Sequence, residues 1–261
     1  MLGKLVKQEI KSQSRAMLGI YGILAGMTLL ISILVFLRSI IGNDVLKFIY
    51  PIFGVIYIMT LVVCFVAGFI YLCVHFYQTM YTGQGYLTHT LPVHTIQILN
   101  TKILVSVVYF FLTGACCVLS IFAVACSTGT AGYAAAELVR GIQTAAQELG
   151  ISGIAFGIFL VAVLFFGCLD ALLLFFAGSS IGQLFGRSKG ACGIAAGIGL
   201  YYVTQILSVI LVAVTGTIYM KFFRGMDVRG WMVAIIIGIV FWSAVYYSIN
   251  YIILLKHLNL E

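Results

Sequence analysis

A single carboxylate, Asp170, stands inside an otherwise apolar run, FGCLDALLLFF. An ionisable side chain at such depth in a bilayer costs about 2.5–3.5 kcal/mol on insertion scales, so it is kept either as a structural polar anchor or as part of a route for protons or cargo. No basic residue lies within two helical turns of it on the same segment, so any partner must come from another one. Gln205, in YYVTQILS with Thr204 and Ser208 beside it, is the next polar group at comparable depth. Amides of this kind hydrogen-bond across helices, and Gln205 joins Asp170 as a candidate pathway residue.

Residues for bond-making chemistry do not converge. A phosphate-cradling loop needs G-x-x-x-x-G-K-[ST]. The nearest approach, GQLFGRSK, has Gly182 and Gly186 one residue too close and Arg187 in place of the lysine. An intramembrane metalloprotease needs several His, Asp or Glu ligands at helix depth. Of the four histidines, only His257, ahead of Glu261, has a carboxylate within the next four residues. A Ser–His dyad fails as well, because the histidines map to one edge of the apolar segments. We expect no catalytic residue, no metal ligand and no cofactor held by this chain. The cysteines, at 64, 73, 116, 117, 126, 168 and 192, show no C-x-x-C spacing and lie in or at the ends of apolar segments, which favours packing over a disulfide framework.

The elements that carry these residues follow from composition. The chain has 261 residues, 63% hydrophobic and 8% charged, with a mean hydropathy of +1.17. This is far from the roughly quarter-charged balance of soluble domains and expected of an all-α integral membrane protein. A hydrocarbon core of about 30 Å needs roughly 20 helical residues. Six segments meet that, near 16–37, 49–76, 103–126, 152–181, 191–220 and 231–254. Runs such as VAIIIGIVFW lack the alternation of a barrel strand, so helices are the way to satisfy the backbone in lipid. The first segment is too long for a removable signal peptide and is preceded by a polar stretch, so we expect it to stay in the mature chain.

An even number of crossings puts both termini on one side. Lys4, Lys7, Lys11 and Arg15 make that side cytoplasmic by the positive-inside bias. Lys102, Arg187, Lys189 and Lys256 join them, while Arg38, Lys47, Arg140, Lys221, Arg224 and Arg229 fall outside. We expect a multi-pass protein of the cell membrane. The net charge of +7 is spread over juxtamembrane positions, which points to anionic lipid and not to nucleic acid.

Residues 1–15 read as an N-terminal amphipathic interfacial helix, an elbow before span one. Leu2, Leu5, Val6 and Ile10 recur at three- and four-residue steps opposite the lysines. Between spans three and four, residues 127–150 are the one sizeable outer loop. There Leu138, Val139, Ile142, Ala145, Ala146 and Leu149 trace a stripe that predicts a short interfacial helix over 134–149. Glycines at 178, 182, 186 and 190, then 193 and 197, and also 22 and 26, give small-xxx-small spacing. That spacing lets helices approach closely, within one chain or between two subunits. No linker or soluble domain interrupts the sequence, so we expect one six-helix transmembrane domain.

The polar stretch GYLTHTLPVH, residues 85–94, remains. It falls in the cytoplasmic loop 77–102, where Gly83 and Gly85 break the helix and Pro92 imposes an extended start to the next. Tyr86, Leu87, Leu91 and Val93 then present apolar contacts beside Thr88 and Thr90. An apolar knob on a cytoplasmic face asks for a partner.

At these residues the chain resembles the permease subunits of ATP-binding cassette exporters of the ABC-2 type. It is similar to them in YLTHTLPV followed by a polar turn and a basic residue, Lys102, entering the third helix. The similarity extends to SSIGQLFGRSKGACGIAAGIGLYYVTQI, residues 179–206. The resemblance implies two permease subunits, identical or homologous, driven by separate ATPase subunits that bind ATP and Mg. It also implies that Tyr86, Leu87, Thr88, Leu91 and Pro92 are the ATPase-coupling contact, with Lys7, Lys11, Arg187 and Lys189 flanking it. His89 and His94 depart from the apolar or hydroxyl residues expected there. Two other readings stay open: a proton-coupled secondary transporter using Asp170, and a membrane scaffold or sensor that transports nothing. A carrier would show internal repeats and broken helices, and no half-to-half similarity is evident.

Overall fold

The structure, a computed structural model, describes residues 2–41, 44–82, 85, 94–185, 189–222 and 228–256. The described residues form seven helices and no strand. They are α1 (Leu2–Ile41), α2 (Asp44–Tyr81), α3 (Thr95–Ser127), α4 (Ala131–Glu148), α5 (Gly153–Gly182), α6 (Lys189–Phe222) and α7 (Val228–Lys256). All but α4 contain a stretch long and apolar enough to cross a membrane. Five of the six expected spans lie wholly on one of these helices, and the fourth, 152–181, begins at the Ser152 cap of α5.

Helix ends differ from the hydropathy boundaries for a physical reason. Hydropathy marks the length that lipid covers, whereas a helix continues as long as its backbone bonds do. Thus α2 runs on through His75, Gln78 and Thr79 to Tyr81, and α3 begins at Thr95, eight residues before the expected 103. Residues 2–15 are the first turns of α1, which has 40 residues without a break. At 1.5 Å per residue it extends about 60 Å, twice the hydrocarbon thickness.

Two glycines with positive φ bracket α4, Gly129 (φ 70) and Gly150 (φ 67), a conformation that costs glycine nothing. At each, the next amide reaches back five residues. Thr130 N donates to Ala125 O at 3.0 Å and Ile151 N to Ala146 O at 2.9 Å. These are Schellman closures of α3 and α4. Ser152 then caps α5, its Oγ accepting from Ala155 N at 3.3 Å.

The chain divides into two compact units, Met1–Val74 with Leu104–Gly141, and His75–Ile103 with Ile142–Glu261. In the first, hydroxyl groups tie α1, α2 and α3. Tyr21 OH pairs with Thr113 Oγ1 at 3.1 Å, Thr28 Oγ1 with Ser120 Oγ at 2.6 Å, and Tyr57 OH with the same Ser120 at 2.7 Å. Phe65 and Phe69 close on Phe110 with centroids at 5.3 and 5.7 Å. In lipid, where apolar burial drives little between helices, such bonds and close packing set the register.

In the second unit α5 packs along both α6 and α7. Its core is Leu173, Leu174 and Ala177 against Tyr246. A Cβ placed on Gly178 would fall 2.5 Å from Gly197 Cα, and one on Gly182 would fall 2.5 Å from Gly193 N. The pairings 178 with 197 and 182 with 193 run in opposite directions, so α5 and α6 form a tight antiparallel hairpin. Of the two roles open to this spacing, the structure gives these four glycines the packing within one chain. Gly22 and Gly26 face open space.

Candidate functional site

A buried polar group gathers where α2 ends, α3 begins and α5 ends, all within the second unit. Tyr81, in the last turn of α2, meets Ser180 Oγ at 2.6 Å. Ser180 Oγ meets Asn250 Oδ1 of α7, also at 2.6 Å. The proton order follows from valence. Asn250 Nδ2 donates to Tyr246 O at 3.0 Å and Leu173 O at 3.4 Å, which fixes the amide so that Oδ1 only accepts. Ser180 therefore donates to Asn250, and its oxygen accepts from Tyr81. Three helices are joined by one directional chain, with Ser180 and Asn250 fully buried.

Beside it, Lys102 Nζ donates to Thr79 Oγ1 at 2.7 Å, and Thr79 donates to His75 O at 2.7 Å. Lys102 is only 4% exposed, so its ammonium serves the α2–α3 junction instead of the solvent. Phe76 stacks on Phe176 at 3.9 Å and 9°, adding an apolar clamp between α2 and α5. Gln183, just past α5, is buried, and neither end of its amide has a hydrogen-bond partner among the described residues. The arrangement holds the end of α2, the start of α3 and the end of α5 in register with α7. Among the described residues no three His, Cys, Asp or Glu side chains come together as metal ligands.

Of the expected contact residues, Tyr86, Leu87, Thr88, Leu91 and Pro92 lie outside the described residues, as do His89 and Arg187. The segments on either side of the loop are described. Thr82 and the first turn of α3 bracket it, and His94 O accepts from Gln97 N at 2.8 Å to start that helix. Lys7 and Lys11 are exposed on α1, and Lys189 is half-buried as the first residue of α6.

Asp170 is half-buried, and its partner does come from another helix: Ser243 of α7 donates to Asp170 Oδ1 at 3.0 Å. Trp242 Nε1 donates to Ser208 Oγ of α6 at 2.9 Å. Gln205 is exposed, one residue from buried Thr204, and no hydrogen bond among the described residues joins it to Asp170. The structure thus does not bring the two candidate pathway residues together. Sequence reasoning passed over Tyr81, Ser180 and Asn250. An asparagine inside the apolar run YSINYIILL carries the same warning as Gln205, and that signal was available.

No protein-family profile matches this chain, and no curated protein or solved structure matches it either.

Proposed function

We propose that the chain is the permease subunit of an ATP-binding cassette exporter of the ABC-2 type. Two such subunits, identical or homologous, form the translocation route in the cell membrane with termini in the cytoplasm. Separate ATPase subunits, carrying ATP and Mg, dock on the loop 77–102 through Tyr86, Leu87, Thr88, Leu91 and Pro92. The first turns of α1, with Lys7 and Lys11, lie in the cytoplasmic interface and flank the dock with Arg187 and Lys189.

One observation carries the reading. The turns flanking an apolar, proline-containing loop are pinned by buried hydrogen bonds, Tyr81 to Ser180 and Lys102 to Thr79. A loop whose only task is to connect two spans gains nothing from burying a lysine beneath it, because that ammonium must be stripped of water. A loop that receives force needs stiff supports. The chain supplies no phosphate-cradling motif of its own, so the energy comes from another polypeptide. ATP-driven closure of the ATPases presses on the loop and shifts helices between two packings.

The test is co-expression with a candidate partner ATPase of the ATP-binding cassette type, comparing wild type with Leu91→Asp for co-purification and stimulated hydrolysis. Loss of both in a folded variant supports the docking site; unchanged association and hydrolysis overturn it. Asp170, held by a single hydroxyl at depth, favours one second reading, a proton-coupled carrier. That reading requires uptake or efflux driven by a proton gradient in purified vesicles with no ATPase present, abolished by Asp170→Asn.

A further inference from the structure

We propose that Tyr81, Ser180 and Asn250 form a rigid tie that carries displacement of the loop 77–102 into α5 and α7, with Asn250 as the positioning residue at its far end. This inference rests on the reading of that loop as the ATPase dock.

A push on the loop reaches the last turn of α2. Along the backbone it would dissipate by helix bending, which is soft over many turns. Across the tie it has a shorter route, through two buried hydrogen bonds. Tyr81 donates to Ser180 and Ser180 donates to Asn250, each at 2.6 Å. Asn250 then donates to the backbone of α7 and of α5, at Tyr246 O and Leu173 O. Ser180 Oγ also lies 2.9 Å from Phe176 O of its own helix, which fastens the middle of the tie to α5. Bonds of this kind polarise one another and are strong where water is excluded. The stacked rings of Phe76 and Phe176 prevent α2 from rolling past α5 without disturbing the tie.

The far end of the tie has a built-in reporter. The two tryptophans of the chain, Trp231 and Trp242, both lie on α7. Trp242 lies two turns before Asn250, on the same face. Its ring stacks toward Tyr246 with centroids 6.3 Å apart, and its Nε1 donates to Ser208 of α6. Motion of α7 against α6 must change that bond.

The experiment uses the full chain in lipid nanodiscs with its co-expressed ATPase, in a Trp231→Phe background, and follows Trp242 emission on addition of a non-hydrolysable ATP analogue. The expected result is a shift in the emission maximum that is largely lost in Ser180→Ala, while the ATPase still co-purifies. A shift retained in full in Ser180→Ala and in Tyr81→Phe overturns the tie and leaves the docking reading intact. Failure of the unsubstituted chain to bind or stimulate the ATPase overturns the docking reading, and with it the proposal that the tie relays its stroke.

The mechanical part is decided separately by hydrogen–deuterium exchange on the chain alone. Ser180→Ala should raise uptake in the last turn of α2 and around Asn250 on α7 as well as in α5. A rise confined to α5 overturns the tie.

Discussion

Asn250 is the residue on which the buried chemistry turns, because its amide is used at both ends and has no exposed surface. Replacing it by leucine removes the acceptor for Ser180 and the donor to Leu173 O and Tyr246 O. Interhelical hydrogen bonds in membranes average about 0.6 kcal/mol and reach about 1.7 kcal/mol, so Asn250→Leu should lower stability within that range per bond lost. Because Ser180→Ala breaks one of the same bonds, the double substitution should cost less than the two singles added together. Melting curves of the four proteins in nanodiscs check this, and strict additivity would contradict the shared bond. Asp170→Asn is a contrasting case. Asparagine keeps an oxygen for Ser243 to donate to and removes a group that is costly at depth, so melting should not fall, and ATPase stimulation should be unchanged if export is driven as proposed. Lost stimulation with an intact fold would move Asp170 into the transport route. Asp170 was legible as a lone carboxylate among apolar residues, and so was the need for a partner on another helix. That the partner is Ser243 was not, since serine is frequent in spans and its register against α5 is a tertiary fact. Gln205 is a contrasting case: its neighbour Thr204 takes the packed side and leaves Gln205 exposed in the single chain.

Among the elements, the α5–α6 hairpin makes the sharpest demand on sequence. Gly178→Ala would set a methyl group against backbone atoms of Gly197, 2.5 Å from Cα and 2.7 Å from N, and backbone cannot step aside as a side chain can. Overpacking of this kind costs about 1–3 kcal/mol. Gly199→Ala, on the same hairpin but with nothing within 4 Å of the added carbon, should be neutral or gain up to about 1 kcal/mol, the usual penalty of glycine in a helix. Equal losses at both positions, measured by thermal denaturation in lipid, would refute the close approach. The small-xxx-small spacing announced that some helix comes near here. Spacing carries no record of which helix, and the antiparallel pairing of 178 with 197 and 182 with 193 answers it. The number of spanning helices was legible because twenty apolar residues in lipid admit one backbone solution. Their ends were not, because Gln78, Thr79, Gln97 and Lys102 lower hydropathy without breaking a helix. The outer helix was read from its stripe over 134–149 and lies at Ala131–Glu148; Gly129 and Gly150, which stop the chain on either side of it, mark the true limits better than the stripe does.

For the molecule as a whole, the proposed function requires the six long apolar helices to cross the bilayer, with the start of α1 and the end of α7 on one side and the end of α3 with α4 on the other. The basic first turns of α1 favour the cytoplasm for the first side, as proposed, since Lys and Arg resist translocation. Cys126, near the end of α3, is exposed, whereas the other cysteines are buried or partly so, which supplies a native marker for the far side. A membrane-impermeant maleimide added to intact cells should therefore label Cys126, and the Gln143→Cys variant, with a second exposed reporter on α4, should take up a second label. A protein lacking its native cysteines and carrying Lys7→Cys should stay unlabelled until the membrane is permeabilised. The reverse pattern would put the loop 77–102 outside the cell, where no ATP-loaded subunit could reach Leu91, and would remove the ATPase-driven reading together with the assigned orientation. Labelling at Lys7→Cys and at Gln143→Cys from the same side would contradict the crossing count itself, since three spanning helices separate the two positions.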